Sequence, residues 1–340
     1  MKNIIFLVDA QQSPSGGGKI IYQYSNYINS LKNYSSSVAH LKKKKINKWM
    51  KSINKRINIY KDNYVGWKAS ELTVKKNHNF SWFNVKIKSK KNLNFNKKND
   101  FVILPEIFAH LANDILLKKK IKYAIFVQNG YSIFPTQDFE KLNKSYNNAQ
   151  FILSYSKDIR NCISLAFPKI KNNIIDVKYS IDKNKLSSNL SKLNLITFMP
   201  RKQKKHSELI INFLKSNLPR KWKLKAIHNM SEKEVFKNLT KSKIFLSFSE
   251  LEGLPLPPIE AALAGNQVIG YTGEGGAEYW KKPIFTEIKT GEIKNFCKEI
   301  LKKIKTKNFI KISKKQRDSL AYNFSLEKEK ASIRKFLALI

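Results

Sequence analysis

Two glutamates, Glu252 and Glu260, stand with seven residues between them in ELEGLPLPPIEAALAGNQVIGYTGEGGAEYW, residues 250–280. The preceding run KIFLSF (243–248) is apolar and aromatic and predicts a buried strand. Pro257 and Pro258 suit the first turn of a helix, where a missing N–H leaves no partner unmet. Glu252 therefore falls in the loop that leaves the strand, and Glu260 inside the helix. The loop Gly253-Leu254-Pro255 then aims its amides and the positive helix end into the space beyond the strand. Such a helix start can hold a diphosphate or sugar oxygens. The two carboxylates flank it, placed to accept hydrogen bonds from hydroxyls. A second glycine-rich turn, Gly275-Gly276-Ala277-Glu278, follows the next strand candidate, NQVIGY (266–271). A proline-started surface helix with incidental acids would not explain the strands, the second turn and the spacing together.

The elements that must position these groups follow an alternating pattern. NIIFLV (3–8) predicts a strand, followed by the Gly-rich loop Ser13 to Gly18 and a helix to about Ser30. Further strands are predicted at 37–41, 101–104, 123–127 and 149–154, with helices over 106–118 and 157–166. After a polar segment, a second series has strands at 195–199, 222–227, 243–248 and 266–271, with helices near 204–216, 231–240 and 257–264. The remainder reads as helices over 291–305, 308–322 and 325–338. Strands alternating with helices imply parallel α/β units. Two such units in a chain of 340 residues place a ligand cleft between the carboxyl ends of their sheets.

Composition narrows the function classes. With 42% apolar and 26% charged residues the chain can build cores, so wholesale disorder is excluded. Cys162 and Cys297 cannot make a disulfide framework, which favours a reducing compartment. The apolar run in MKNIIFLVDA is too short for a signal peptide or a spanning helix, so a cytoplasmic protein is expected. The net charge of +40 invites a nucleic-acid reading, yet only six of 65 basic residues are arginine, the residue that base and bidentate phosphate recognition favour. Nucleic acid is not the expected partner. The charge suits nucleotide phosphates, phospholipid headgroups or acidic glycans. In 41–58, Ile46, Trp49, Met50, Ile53 and Ile57 recur among lysines, the pattern of a basic amphipathic helix on an anionic membrane surface. The alternative is a surface helix covering its own sheet.

EGLPLPPIEAALAG (252–265) resembles the signature of retaining GT-B glycosyltransferases of the broad group-one, family-four type: two glutamates seven residues apart, then a strand and a GG-x-E turn. LITFMPRKQKKHSELI (195–210) resembles the first strand of their donor domain, SPSGGGKIIYQ (13–23) their N-terminal glycine loop, and NFSLEKE (323–329) the approach to their last helix. The resemblance is poor over 40–100. It implies two doubly wound Rossmann-like domains facing across a cleft. Their ranges are 1–178 for the acceptor side, 179–192 for a linker, 193–322 for the donor side, and 323–340 for a helix crossing back.

The same resemblance implies transfer of a sugar from a nucleotide-diphosphate donor to a glycan or lipid-linked acceptor with retained configuration, as in surface polysaccharide synthesis. Glu252 would hold sugar hydroxyls and Glu260 the ribose. Arg201 and one of Lys202, Lys204 or Lys205, with Lys205 favoured, would hold the diphosphate with the amides of Gly253 and Leu254. Gly275, Gly276 and Glu278 would support the loop or the donor, and Gly17 and Gly18 would let the backbone approach it. Glu106, His110, Gln128 and Asn129 are the acceptor-side candidates, Gln128 and Asn129 having the better claim because a lone histidine in such a helix is more often structural. No Asp-x-Asp motif occurs, so neither a metal nor a cofactor beyond the nucleotide sugar is expected. A DNA-modifying transferase, a nucleotide-sugar epimerase and a non-catalytic nucleic-acid-binding protein are the alternatives.

Overall fold

A computed structural model describes residues 1–10, 15–45, 50–51, 64–70, 87–186, 191–305 and 312–340. The first sheet has the order β3-β2-β1-β4-β5-β6-β7. Its strands are β1 (Lys2–Asp9), β2 (Tyr34–Lys45), β3 (Tyr64–Ser70), β4 (Asp100–Pro105), β5 (Lys122–Phe126), β6 (Phe151–Ser154) and β7 (Ile174–Asp176). Every pair is parallel except β2 with β3. Alternation along β1 shows why this sheet is covered on both faces. Ile4, Phe6 and Val8 join one buried cluster, and Ile5 and Leu7 the other.

The second sheet runs β12-β11-β10-β8-β9 and is wholly parallel. Its strands are β8 (Leu193–Phe198), β9 (Lys223–Ala226), β10 (Ser242–Glu252), β11 (Gln267–Glu274) and β12 (Phe285–Glu287). The two sheets share a core on one side, where a single buried cluster runs from Phe6, Tyr24 and Tyr179 to Ile259, Ala262 and Phe285.

The helices that matter for the site are α1 (Gly16–Asn29), α2 (Phe139–Asn147), α3 (Lys157–Ala166), α4 (Lys204–Lys215), α5 (Glu232–Lys241) and α6 (Leu256–Leu263). Side-chain caps fix their starts. Ser15 accepts from the Gly18 amide, Ser156 from Ile159, and Ser231 with Glu234 forms a capping box. After α7 (Ile293–Lys305) and α8 (Lys314–Asn323), the last helix, α9 (Leu326–Leu337), returns to the first domain. Its Phe336 ring meets Phe101 and Phe151 edge-on, and the Tyr34 hydroxyl donates to the Leu337 carbonyl at 3.0 Å.

Two expectations are corrected. Residues 41–45 belong to β2 and not to a basic helix, with Lys43 opposite Trp67 and Lys45 opposite Tyr64. Pairing with β3 satisfies the backbone there while the exposed lysines guard a strand near the sheet edge. Met50 and Lys51 are helical, and the rest of 46–58 lies outside the described residues. No described helix is long and apolar enough to cross a membrane. Over 106–118, one continuous helix is replaced by a 3-10 turn (Glu106–Leu111), a short α turn (Ala112–Ile115) and another 3-10 turn (Leu117–Lys119).

Candidate functional site

β10 carries the glutamate pair to the carboxyl edge of its sheet. Its register slips between Ser249 and Glu252, and Leu251 adopts a left-handed φ of 45°. That kink turns the chain toward α6. Glu252 lies 3.1 Å from the Lys202 ammonium, so Lys202 is the lysine of this segment that reaches it. Lys204 pairs instead with Glu208 along α4, at 3.8 Å. Arg201, in the turn after β8, and Lys205, in the first turn of α4, are exposed.

Glu260 sits half-buried on α6. Burial raises its pKa, the Lys19 ammonium opposes that shift, and Glu232 adds to it. Lys19 follows the glycine run in α1, and its Nζ lies 2.8 Å from Glu232 at the start of α5. Burial alone would pull the Lys19 ammonium down, but Tyr179, Glu260 and Glu232 outweigh it and hold its pKa above the usual lysine range. Lys185 reaches Glu232 from the other side, at 3.5 Å. Lys19 and Glu232, which meet Glu260 across the domains, are the part of the site that the motif did not contain. The available signal was a lysine placed directly after three glycines.

The second glycine turn packs on the first. A Cβ on Gly275 would lie 2.0 Å from the Gly253 carbonyl oxygen, so the two loops touch backbone to backbone. Glu278 does not join Glu252. Its carboxylate accepts from the amides of Lys157 at 2.5 Å and Asp158 at 3.3 Å, capping α3 of the first domain, where the helix dipole favours a negative charge. Leu254 is buried in the shared core.

On the first domain, Glu106, Gln128 and Asn129 come together. The buried Glu106 carboxylate accepts from the Gln128 amide at 2.9 Å and the Asn129 amide at 3.1 Å. The Gln128 side chain donates to the Gly17 carbonyl at 3.0 Å. Glu106, Gln128 and Gly17, with Asp9, Ser15 and Gly18, line a pocket of about 210 Å³ at the carboxyl ends of β1 and β4. His110 stands apart. The charges acting on it are Lys141 and Asp114, and burial lowers its pKa.

Burial pushes Glu106 up to about 7 from 4.5, against the pull of its amide partners. The folded protein thus holds a proton that the unfolded chain releases. The group's contribution to stability is whole below pH 4.5 and is lost as the pH rises to 7. Glu106→Gln gives up one amide bond but cannot titrate. Thermal scans across that window should show the wild-type Tm falling relative to the variant; parallel curves would contradict this placement of the proton.

Among the described residues no three His, Cys, Asp or Glu side chains converge as metal ligands. Of the groups expected at the site, Glu252 stands with Lys202 while Arg201 is exposed nearby in the chain, and the Gly253 amide is taken up by the Asn129 side chain at 3.2 Å.

No protein-family profile matches the chain, and no curated protein matches it by sequence. Solved structures do. A variant of TarM from S. aureus, in complex with fondaparinux, alpha-GlcNAc-glycerol and UDP, has a TM-score of 0.65 at 13% identity, over 100% of this chain and 99% of that one. HepE from Anabaena, in complex with UDP and glucose, has 0.64 at 11% identity, over 100% of both chains. UDP-GlcNAc 2-epimerase from Neisseria meningitidis, bound to UDP-GlcNAc, has 0.56 at 12% identity, over 99% of this chain and 100% of that one. At such identities the likeness establishes the fold. The chain has the GT-B architecture, two Rossmann-like domains facing across a cleft.

Proposed function

We propose that this protein is a glycosyltransferase, moving a sugar from a nucleotide-diphosphate donor to a glycan or lipid-linked acceptor with retention of configuration and without a metal. The observation that carries this reading is the placement of Glu252 at the carboxyl end of a central strand and of Glu260 in the helix after the Gly253–Pro255 loop, within a GT-B fold. Carboxylates there are suited to sugar and ribose hydroxyls. Arg201 and a neighbouring lysine are suited to the charge that develops on the departing diphosphate, the kind of preorganised stabilisation that often dominates catalysis. Both TarM and HepE were solved with UDP, which makes UDP-sugars the first donors to try. Gln128 and the pocket around Gly17 would face the acceptor side.

Thermal stabilisation by a panel of nucleotides tests this reading. A nucleotide bound only by the folded protein, at roughly 100 times its dissociation constant, adds about 2.7 kcal/mol. One clear hit, abolished by Glu260→Ala, is the expected result. No shift with UDP, GDP, ADP or CMP would sink the proposal. Product analysis completes the test: sugar must appear on an acceptor, and an epimerised donor formed without acceptor would make the chain an epimerase instead.

A further inference from the structure

The residues on either side of Glu252 are held by the other domain. Asn129, at the exit of β5, accepts from the Gly253 amide through Oδ1 at 3.2 Å and donates from Nδ2 to the Leu251 carbonyl at 3.1 Å. One side chain thus grips the residue before Glu252 and the residue after it. The grip is itself anchored. The Asn129 amide donates to Glu106, and its Oδ1 also caps the short turn at Gly130 by accepting from Tyr131 at 3.3 Å.

Within its own domain the loop is held by the Lys202–Glu252 pair at 3.1 Å and by Gly275 against the Gly253 backbone, and Asn129 adds the hold from the opposite domain. The Leu251 side chain is 52% exposed, and its backbone lies in the left-handed region, which disfavours a leucine and persists only where the surroundings impose it. Gly253 fits closely against the first domain, because a Cβ there would come within 2.4 Å of Ile159 Cγ1. We propose that Asn129 is a positioning residue that sets Glu252 in place, so that the site is assembled only when the two domains are closed on each other. The proposal rests on the transferase reading for its consequence in catalysis, and assigns to Asn129 a role distinct from touching the acceptor. Closure that completes a catalytic constellation is a common means of coupling substrate capture to chemistry.

Two variants test it. Asn129→Ala removes both bonds. Asn129→Asp keeps the acceptor for Gly253 but cannot donate to Leu251. Hydrogen exchange at residue resolution should show the Gly253 amide exchanging at least about fivefold faster in the alanine variant, as expected for losing one net hydrogen bond, and near the wild-type rate in the aspartate variant. In donor kinetics, kcat should fall about 100-fold in Asn129→Ala, the cost of misplacing a catalytic group by roughly 1 Å, with KM for the donor little changed. Unchanged Gly253 exchange in the alanine variant overturns the clasp. So does a loss of kcat that tracks only a fall in Tm. If the alanine variant does not fold, the aspartate variant decides alone: protection of Gly253 supports the clasp and its loss refutes it. A wild type that transfers no sugar would defeat the transferase reading, while the exchange measurements would still decide the clasp.

Discussion

Arg201→Ala is expected to lower turnover about 10²–10³-fold, the usual loss on removing one preorganised donor at a developing charge. The position makes this a clean measurement. Arg201 is exposed in the turn that leaves β8, so its removal opens no cavity. Exposed substitutions of this kind usually change stability by no more than about 0.5 kcal/mol. Tm should therefore stay put while kcat collapses. Lys202→Ala makes a less direct comparison, because it strips Glu252 of its partner at 3.1 Å as well as removing a charge. Lys205→Ala discriminates between lysines. Should it cost more than Lys202→Ala, the diphosphate reaches along the first turn of α4; should it cost nothing, Lys202 completes the pair. Turnover by Arg201→Ala within threefold of the wild type would remove the arginine from the charge-stabilising role.

The parts of this arrangement that were legible in the sequence are those written in local pattern. The β10 strand, the proline start of α6 and the second glycine turn lie within 40 residues and each follows from periodicity or backbone restriction. The span of α3, Lys157–Ala166, matches its apolar spacing. What could not be read depends on how the two sheets meet. Lys19 and Glu232 are 213 positions apart, and Glu278 and Lys157 are 121 apart, so no window along the chain contains either pair. Lysine is also too common here to identify itself. In a chain with 65 basic residues, only geometry picks out Lys202 beside Glu252. The 41–45 run failed for a related reason: four successive lysines carry no period, and the partner that makes them a strand lies at 64–70.

Gly275→Ala is expected to damage both stability and activity. Its added Cβ would sit 2.0 Å from the Gly253 carbonyl oxygen and 2.7 Å from that of Glu252. Both are backbone atoms, and no rotamer change relieves the contact, so the two glycine loops must part. The preceding residue, Glu274, already holds a φ of 69° and ψ of −71°, a conformation that costs on the order of 1–3 kcal/mol and is kept only by its surroundings. Loosening the packing lets that strain relax and displaces the loop further. Overpacking of this kind costs about 1–3 kcal/mol, and a shift of about 1 Å at Glu252 would remove roughly another 100-fold in turnover. Gly276→Ala is the matched comparison. There the nearest atom to the added Cβ is the Tyr279 hydroxyl at 3.3 Å, which can give way, although it donates to the Pro255 carbonyl at 2.7 Å. Neither glycine uses a positive φ, so the pair separates lack of space from loss of backbone freedom. Equal effects at the two positions, in Tm and in kcat, would mean that the loops are not packed against each other as described, and that Gly275 serves some purpose other than bringing Gly253 close.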